Sequence, residues 1–314
     1  MLSKSLFGED INPYKGFDDN TLKYVSKLEK RTWLDLPDWL YLPFYGDHGY
    51  SAFGKFQQHE IENNAHIHVT FNKYRYEALK NKVDKYLLYI NNPYVPYRKI
   101  NKLKQKPHCK GTLVFYTHTI NNVYYYNYNF EEYLDLLLNL PESYHPIVFM
   151  FHNNDIRKGN YKHLKKRGFP VLTAGNQSDW QFIDRFYEII SHFKYGTSNS
   201  GGSELFYCTE MGLKYFILGK EPMLFNKGHK QNKRGLINNQ DELLTKLNTK
   251  KRELFHFESN AIQDEKDKFI TVSLGLDSEV SAADFRQLLL KEYIRTFPSY
   301  INSTMKKILN KCTD

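Results

Sequence analysis

The sequence predicts an α/β protein with two lobes, each built on a parallel sheet, and a ligand cleft between them. Five short apolar runs in the second half are separated by helix-compatible stretches, as in a parallel sheet: GTLVFYTHT, HPIVFMFH, FPVLTAG, YGTSNS and YFILG. The first half repeats this pattern with AHIHVTF, KYRYEALKNKVDK and YLLYI. Small polar residues follow the apolar runs, at the edge where parallel sheets bind ligands.

The length of 314 residues exceeds what one hydrophobic core usually organises, which favours two lobes. Residues 93–107 are rich in proline and lysine, which is typical of a linker. We therefore expect one lobe over residues 1–107 and a second over residues 108–314. Two helices are expected near the C-terminus, packing back on the first lobe: residues 241–247 and, capped by Ser281, residues 281–293.

The composition indicates a packed protein that meets an anionic partner. Hydrophobic residues make up 41% of the chain and charged residues 25%, and the formal net charge is +9. The three cysteines lack the spacing of a zinc ribbon or a disulfide framework. The sequence contains neither a long apolar run nor a secretory signal, so we expect a cytoplasmic protein.

The end of the fourth apolar run of the second half and the residues after it form the sharpest motif, SNSGGS, which we call the glycine-rich turn (residues 198–203). Gly201 and Gly202 let a ligand approach the backbone, and Ser203 is positioned to cap the helix that follows. The unpaired amides of such a helix start attract phosphate. An ordinary strand-to-helix turn explains the same letters, and both interpretations stay open. Glu204 falls in the first turn of that helix, where capping explains a carboxylate.

The stretch 111–219 resembles the C-terminal half of bacterial GT-B glycosyltransferases that build surface polysaccharides such as capsule, O-antigen and lipopolysaccharide. The resemblance implies two Rossmann-like lobes and a metal-independent transfer without a cofactor. It also implies that Glu210 holds the ribose of a nucleotide-sugar donor. The donor phosphate is implied to lie on five residues of the turn: Ser198, Ser200, Gly201, Gly202 and Ser203. One departure is that Glu204 and Glu210 are six residues apart, whereas the best-known retaining enzymes space this pair by eight.

Two further loops lie at the predicted ligand edge of the second sheet. His118 and Thr119 follow its first strand, and we expect them to contact the donor phosphate. Thr173, Gly175 and Asn176 follow its third strand and suit contacts to the nucleotide through backbone groups.

The loop YGDHGY in the first half is the candidate for acceptor chemistry. Asp47 or His48 is the candidate base for the acceptor hydroxyl, although the same residues are common in plain turns. His66 and His68 alternate on one predicted strand without a third ligand in view, so we predict no metal site.

The resulting hypothesis is a glycosyltransferase that uses a nucleotide-sugar donor and a saccharide or lipid-linked acceptor. Its positive charge suits peripheral contact with the anionic inner face of a membrane. A transferase of phospho-groups, of the glycerol-phosphate type, from a CDP-activated donor is one alternative. A nucleic-acid-binding or non-catalytic interaction protein is another, although the sequence contains no specific nucleic-acid motif.

Overall fold

The computed structural model describes residues 43–47, 49–63, 65–82, 84–117, 124–176, 179, 181–226, 235–236 and 241–295. Over these residues the protein is α/β, as the sequence predicts, with two separate parallel sheets. The strands are β1 (Phe44–Gly46), β2 (Ile67–Thr70), β3 (Tyr86–Tyr89), β4 (Thr112–Phe115), β5 (Tyr124–Asn127), β6 (Ile147–Met150), β7 (Val171–Leu172), β8 (Tyr195–Ser198), β9 (Lys214–Ile217), β10 (Met223–Asn226) and β11 (Gly235–Leu236).

The helices connect these strands in the order that the apolar runs predict. They are α1 (Gln58–Ile61), α2 (Lys73–Leu79), α3 (Tyr94–Ile100), α4 (Phe130–Leu138), α5 (Asn153–Lys158), α6 (Lys162–Lys166), α7 (Phe182–Ser191), α8 (Ser203–Met211), α9 (Glu242–Phe255), α10 (Gln263–Ser273) and α11 (residues 282–295). None of the helices in this described part of the chain has the length and hydropathy needed to cross a membrane.

The larger sheet has the strand order β7-β6-β4-β8-β9, and every neighbouring pair is parallel. The chain starts in the middle at β4, adds β6 and β7 on one side, and returns to add β8 and β9 on the other. This is the order of the first five strands of a doubly wound sheet. The loops after β4 and β8 therefore leave the sheet in opposite directions and open a crevice between them.

Both faces of this sheet are covered, which explains why its strands are apolar without alternation. Leu113 packs with α7, α8 and α9 in one core, whereas the next residue, Val114, packs with α4 and α6 in another. β6 divides in the same way, because Val148 joins the first core and Phe149 the second.

The smaller sheet, β1-β2-β3, is also parallel and lies entirely within the first half of the chain. Phe285 and Leu289 of α11 share a core with β2 and β3. Ser281 caps α11 as predicted: Asp284 N donates to Ser281 Oγ at 3.1 Å, and Ser281 N donates to Asp284 Oδ2 at 3.2 Å. A third, antiparallel sheet has the order β11-β10-β5.

The predicted linker at residues 93–107 is wrong over its first half, because residues 94–100 form α3. Pro93 is the N-cap of this helix and Pro96 lies in its first turn, where a missing backbone N–H costs nothing. Prolines in these positions start a helix instead of excluding one. The helix at residues 241–247 is confirmed but runs on to Phe255.

Candidate functional site

The glycine-rich turn lies at the crevice of the larger sheet. It follows β8, and Thr117 follows the neighbouring strand β4. The hydroxyl of Thr117 donates to the side-chain oxygen of Asn199, so the two loops touch at the point where the winding of the sheet reverses. Doubly wound sheets bind their ligands at this position.

The shape of the turn depends on Ser198 and Gly201. Ser198 is buried, and its Oγ accepts the Gly201 amide at 2.8 Å. Gly201 has a φ of 62°, a backbone conformation that favours glycine, and an added Cβ would meet Ile217 Cδ1 at 2.9 Å. Ser198 therefore shapes the turn through its side chain.

The helix after the turn, α8, starts differently from the prediction. Its N-cap is Gly202, and Ser203 is the first helical residue. Ser203 Oγ instead accepts the backbone amide of Tyr50 at 3.1 Å. The reason is that a residue from the first half of the chain reaches this hydroxyl, which local sequence cannot show.

The carboxylate of Glu204 occupies the anion position of the turn. Its Oε1 accepts the Gly202 amide at 2.8 Å and the Ser198 hydroxyl at 3.2 Å, and it lies 3.1 Å from the Tyr215 hydroxyl. Burial, reinforced by the Glu204 charge, raises the pKa of Tyr215 well above its usual value, so this phenol keeps its proton and donates. Glu204 itself is only partly buried.

Two consecutive cations of α9 hold the turn from behind. Lys251 is 6% exposed, and its Nζ donates to the Gly201 carbonyl at 2.7 Å and to Asn248 Oδ1 at 3.2 Å. Arg252 donates to the Asn199 carbonyl at 3.0 Å and to the Gly219 carbonyl at 2.6 Å. The positive ends of both side chains thus lie beside the turn, within the last turns of α9.

The loop after β1 packs on the start of α8, so the smaller sheet borders the same crevice. Besides the Tyr50 amide on Ser203, the Tyr50 ring stacks on Phe206 at a centroid distance of 3.9 Å. Gly49 lies so close that an added Cβ would meet Ser203 Oγ at 2.8 Å. The YGDHGY loop and the glycine-rich turn, 148 residues or more apart in sequence from Tyr50 to Ser198, are therefore neighbours.

Asp47, the candidate base of this loop, is 2% exposed and belongs to a buried charge cluster of Asp47, Glu60, His68 and Arg75. Its Oδ1 accepts from Arg75 Nε at 3.2 Å, and its Oδ2 accepts from Thr70 Oγ1 at 2.6 Å. Burial alone would raise the pKa of Asp47, but Arg75, with help from His68 and Thr70, holds it below its usual value.

The charge cluster has the outline of a cation site that Arg75 already fills. Asp47, Glu60 and His68 each place a ligand atom within 4.8 Å of the others. Arg75 Nη2 lies 2.6 Å from Glu60 Oε1. Asp47 Oδ1 contacts both Arg75 Nε, at 3.2 Å, and His68 Nε2, at 3.3 Å. A metal ion would compete with the guanidinium for the same oxygens, so these residues do not fit a metal ion in this arrangement.

Glu210 lies at the far end of α8, away from the glycine-rich turn. Arg98 of α3 binds it with two hydrogen bonds, Nε to Oε2 at 2.7 Å and Nη2 to Oε1 at 2.5 Å. The side chain of Arg98 is 14% exposed and that of Glu210 is 6% exposed. The structure thus gives this carboxylate an arginine partner and does not bring it to the crevice.

Thr173, Gly175 and Asn176 follow β7, at the carboxyl edge of the sheet. Thr173 Oγ1 accepts the Gly175 amide at 3.0 Å, which shapes the loop. Two strands, β6 and β4, separate this loop from β8, a distance of three inter-strand spacings or about 14 Å. An extended nucleotide can span such a distance along the edge.

Asp179 and Arg185 form an ion pair, with Arg185 Nη2 at 2.7 Å from Asp179 Oδ2. Asp179 lies before the start of α7, and Arg185 lies on that helix. Arg185 Nε also donates to the Ala174 carbonyl at 2.7 Å, which fixes the loop after β7. His48, His118 and Thr119 lie outside the described residues.

A concavity of about 490 Å³ opens beside Tyr116, directly before Thr117. It is lined by Tyr116, Gly159, Asn160, Lys162, His163 and Lys166. Lys162 and Lys166 give this concavity a positive lining.

Sequence reasoning missed Glu204 as an occupant of the turn and Lys251 and Arg252 as its support. One signal for Lys251 was available, because it shares a helical face with Leu247, Leu254 and Phe255, all buried. Lysine is rarely buried unless its amine is paired, so a lysine in an apolar stripe indicates a specific partner. Nothing in the local sequence identifies that partner as Gly201.

No protein-family model matches this chain, and no curated protein matches it either. The geometry at the crevice is therefore the basis for assigning a function.

Proposed function

We propose that this chain is a glycosyltransferase of GT-B architecture, moving a sugar from a nucleotide-activated donor to a saccharide or lipid-linked acceptor. One observation carries the proposal: the glycine-rich turn lies where the winding of the larger sheet reverses, and the loop after β1 of the second parallel sheet reaches it. A donor held at the turn would face an acceptor held by the other lobe.

The turn suits the donor's phosphate. The start of α8 brings backbone amides and the positive end of a helix to the crevice. Lys251 and Arg252 add two side-chain cations directly behind it. Together these protein groups can neutralise the negative charge of a diphosphate leaving group. The loop after β7, about 14 Å along the edge, is at a suitable distance for the nucleoside.

Glu204 takes the role of base in this proposal. Its carboxylate and the donor phosphate compete for the Gly202 amide, so donor binding displaces the carboxylate toward the crevice. There it can accept the proton of the acceptor hydroxyl while the acceptor oxygen attacks the anomeric carbon and the nucleotide phosphate leaves with the bonding electrons. Asp47 suits this role less, because both of its oxygens already accept hydrogen bonds in the buried charge cluster.

A binding panel of UDP, GDP, CDP and CMP tests the donor site. We expect one nucleotide diphosphate to bind with micromolar affinity and Gly202→Val to weaken binding at least about tenfold. Gly202 has an ordinary φ of −77°, and an added Cβ would meet the Glu204 carboxylate instead of the core, so the variant should fold. Gly168→Ala is the control, because an added Cβ there meets nothing within 4 Å and the substitution carries only the backbone strain of a φ of 82°. Absence of binding for all four nucleotides would refute the proposal.

The same panel separates the alternatives. Selective binding of CMP and CDP would favour a phospho-group transferase, because cleavage of a CDP-activated donor between its two phosphates releases CMP. Tight, salt-dependent binding of plain oligonucleotides would favour a nucleic-acid-binding protein. That alternative is weakened by Arg98, the first cation of the basic stretch 98–110, because Glu210 neutralises it.

The net charge of +9 supports peripheral contact with an anionic membrane surface, where a lipid-linked acceptor would be found. The basic concavity beside Tyr116 could take an anionic group of that acceptor. Flotation with acidic vesicles at low and high salt tests the contact: recovery at low salt alone is expected, and no recovery at either would contradict it.

A further inference from the structure

The two cations of α9 bind carbonyl groups of the glycine-rich turn, and this fixes the direction of its amides. Arg252 binds the carbonyl of Asn199, and Lys251 binds the carbonyl of Gly201. In a trans peptide the carbonyl of one residue and the amide of the next point in opposite directions. The amides of Ser200 and Gly202 therefore point away from α9.

The position of Glu204 marks the side to which these amides point. Its Oε1 accepts the Gly202 amide at 2.8 Å, opposite the Lys251 contact on the same peptide. An anion that approaches from the crevice thus meets the amide face of the turn. Arg252 also binds the carbonyl of Gly219, which ties the ends of β8 and β9 together.

We propose that Lys251 and Arg252 are positioning residues for the donor phosphate: they hold the turn by its carbonyls so that the Ser200 and Gly202 amides face the ligand. The inference rests on the proposed donor site and extends it to residues that do not touch the donor. It explains why a lysine occupies a buried, apolar stripe of α9.

The burial of Lys251 distinguishes positioning from plain stabilisation. Burial lowers the pKa of its amine to about 8, although the Glu204 and Glu221 carboxylates act in the opposite direction and Arg252 lowers it further. A buried ammonium is costly, and a methionine of similar length fills the same space without that cost. Lys251→Met also leaves the Gly201 carbonyl without its donor, so a gain and a loss oppose each other and thermal stability should change little. A residue with a purely stabilising role would lower stability when replaced.

The first experiment needs no ligand. Hydrogen–deuterium exchange of residues 198–204 is compared in wild type, Lys251→Met and Arg252→Lys, with Lys246→Met as control for an exposed cation lost from the same helix. We expect exchange to become about tenfold faster in Lys251→Met, because the hydrogen bond from Lys251 to the Gly201 carbonyl is lost. Arg252→Lys, which keeps the charge and one donor group, should lie in between. Unchanged exchange in Lys251→Met would overturn the inference.

The second experiment measures the affinity for UDP, GDP, CDP and CMP. If wild type binds one of them, Lys251→Met should bind it about tenfold more weakly, and Lys246→Met should bind it normally. Equal binding by Lys251→Met would also overturn the inference. If wild type binds none, the proposed function fails, and the exchange experiment alone decides whether the cations position the turn.

The pH dependence gives a readout that packing does not affect. Above pH 7.5 a nucleotide phosphate is fully ionised, whereas Lys251 loses its charge near pH 8. Wild-type affinity should therefore fall about fivefold between pH 7.5 and 9.5, because a neutral amine donates a weaker hydrogen bond to the Gly201 carbonyl and the site loses one positive charge. Lys251→Met should show a flat profile. Parallel profiles for the two proteins would count against the inference.

Discussion

The two parallel sheets each have a carboxylate near the carboxyl edge, and the two carboxylates are held in opposite ways. Asp47, after β1, is buried and paired with the Arg75 guanidinium. Glu204, after β8, is partly exposed, and its Oε1 contacts neutral donors, an amide and two hydroxyls. A carboxylate with a buried cationic partner cannot leave it at low cost, whereas one bound by neutral donors at a crevice can exchange with another anion. The comparison indicates a structural role for Asp47 and supports the role proposed above for Glu204.

The largest expected effect comes from removing the cation of the charge cluster. Arg75→Met leaves Asp47 and Glu60 buried without their positive partner, so we expect the free energy of unfolding to fall by about 3–5 kcal/mol. Urea denaturation at pH 7 measures it. Arg167→Met removes an exposed pair with Glu131 and should cost at most about 1 kcal/mol. A similar loss of unfolding free energy in Arg75→Met and Arg167→Met would show that burial does not make the charge cluster stronger than an exposed ion pair.

The fixed shape of the glycine-rich turn gives the next largest effect. Gly201 and Gly168 both have positive φ angles, 62° and 82°, but only an added Cβ at Gly201 meets side chains, Ile217 at 2.9 Å and Leu205 at 3.0 Å. Gly168→Ala should cost about 1 kcal/mol of unfolding free energy through backbone strain alone. Gly201→Ala should cost about 1–3 kcal/mol more through overpacking. Equal costs would mean that the turn can relax, and would weaken the case for a rigid anion site.

The contrast between the two carboxylates also marks what sequence can predict. Runs of apolar, β-branched and aromatic residues predict β2, β3, β4, β6, β7, β8 and β9. β4 and β6 are apolar without alternation because both faces of their sheet are covered. Ser281 predicts the start of α11 because capping is local. The partner of Asp47 is different, since Arg75 lies 28 residues further along the chain and reaches it only after β2 and α2 have packed. Lys251 is a similar case, because its contact with Gly201 depends on how α9 packs against β8 and β9.

The smallest effect tests the exchange of anions at Glu204 directly. Glu204→Gln keeps the shape of the side chain but removes a negative charge beside the proposed phosphate position, so we expect the affinity for the bound nucleotide diphosphate to rise about tenfold, or about 1.4 kcal/mol. Isothermal titration at pH 7.5 measures it, with Glu253→Gln as control, an exposed carboxylate on α9.

The matching change in the other sheet should have the opposite profile. Asp47→Asn removes the charge that faces Arg75, so it should lower stability and leave nucleotide affinity unchanged. A weaker affinity in Glu204→Gln would mean that the carboxylate supports the ligand instead of competing with it. In the proposed mechanism the Glu204 carboxylate and the phosphate compete for one donor of the turn, the Gly202 amide. Without that competition, groups other than this amide would have to form the anion site.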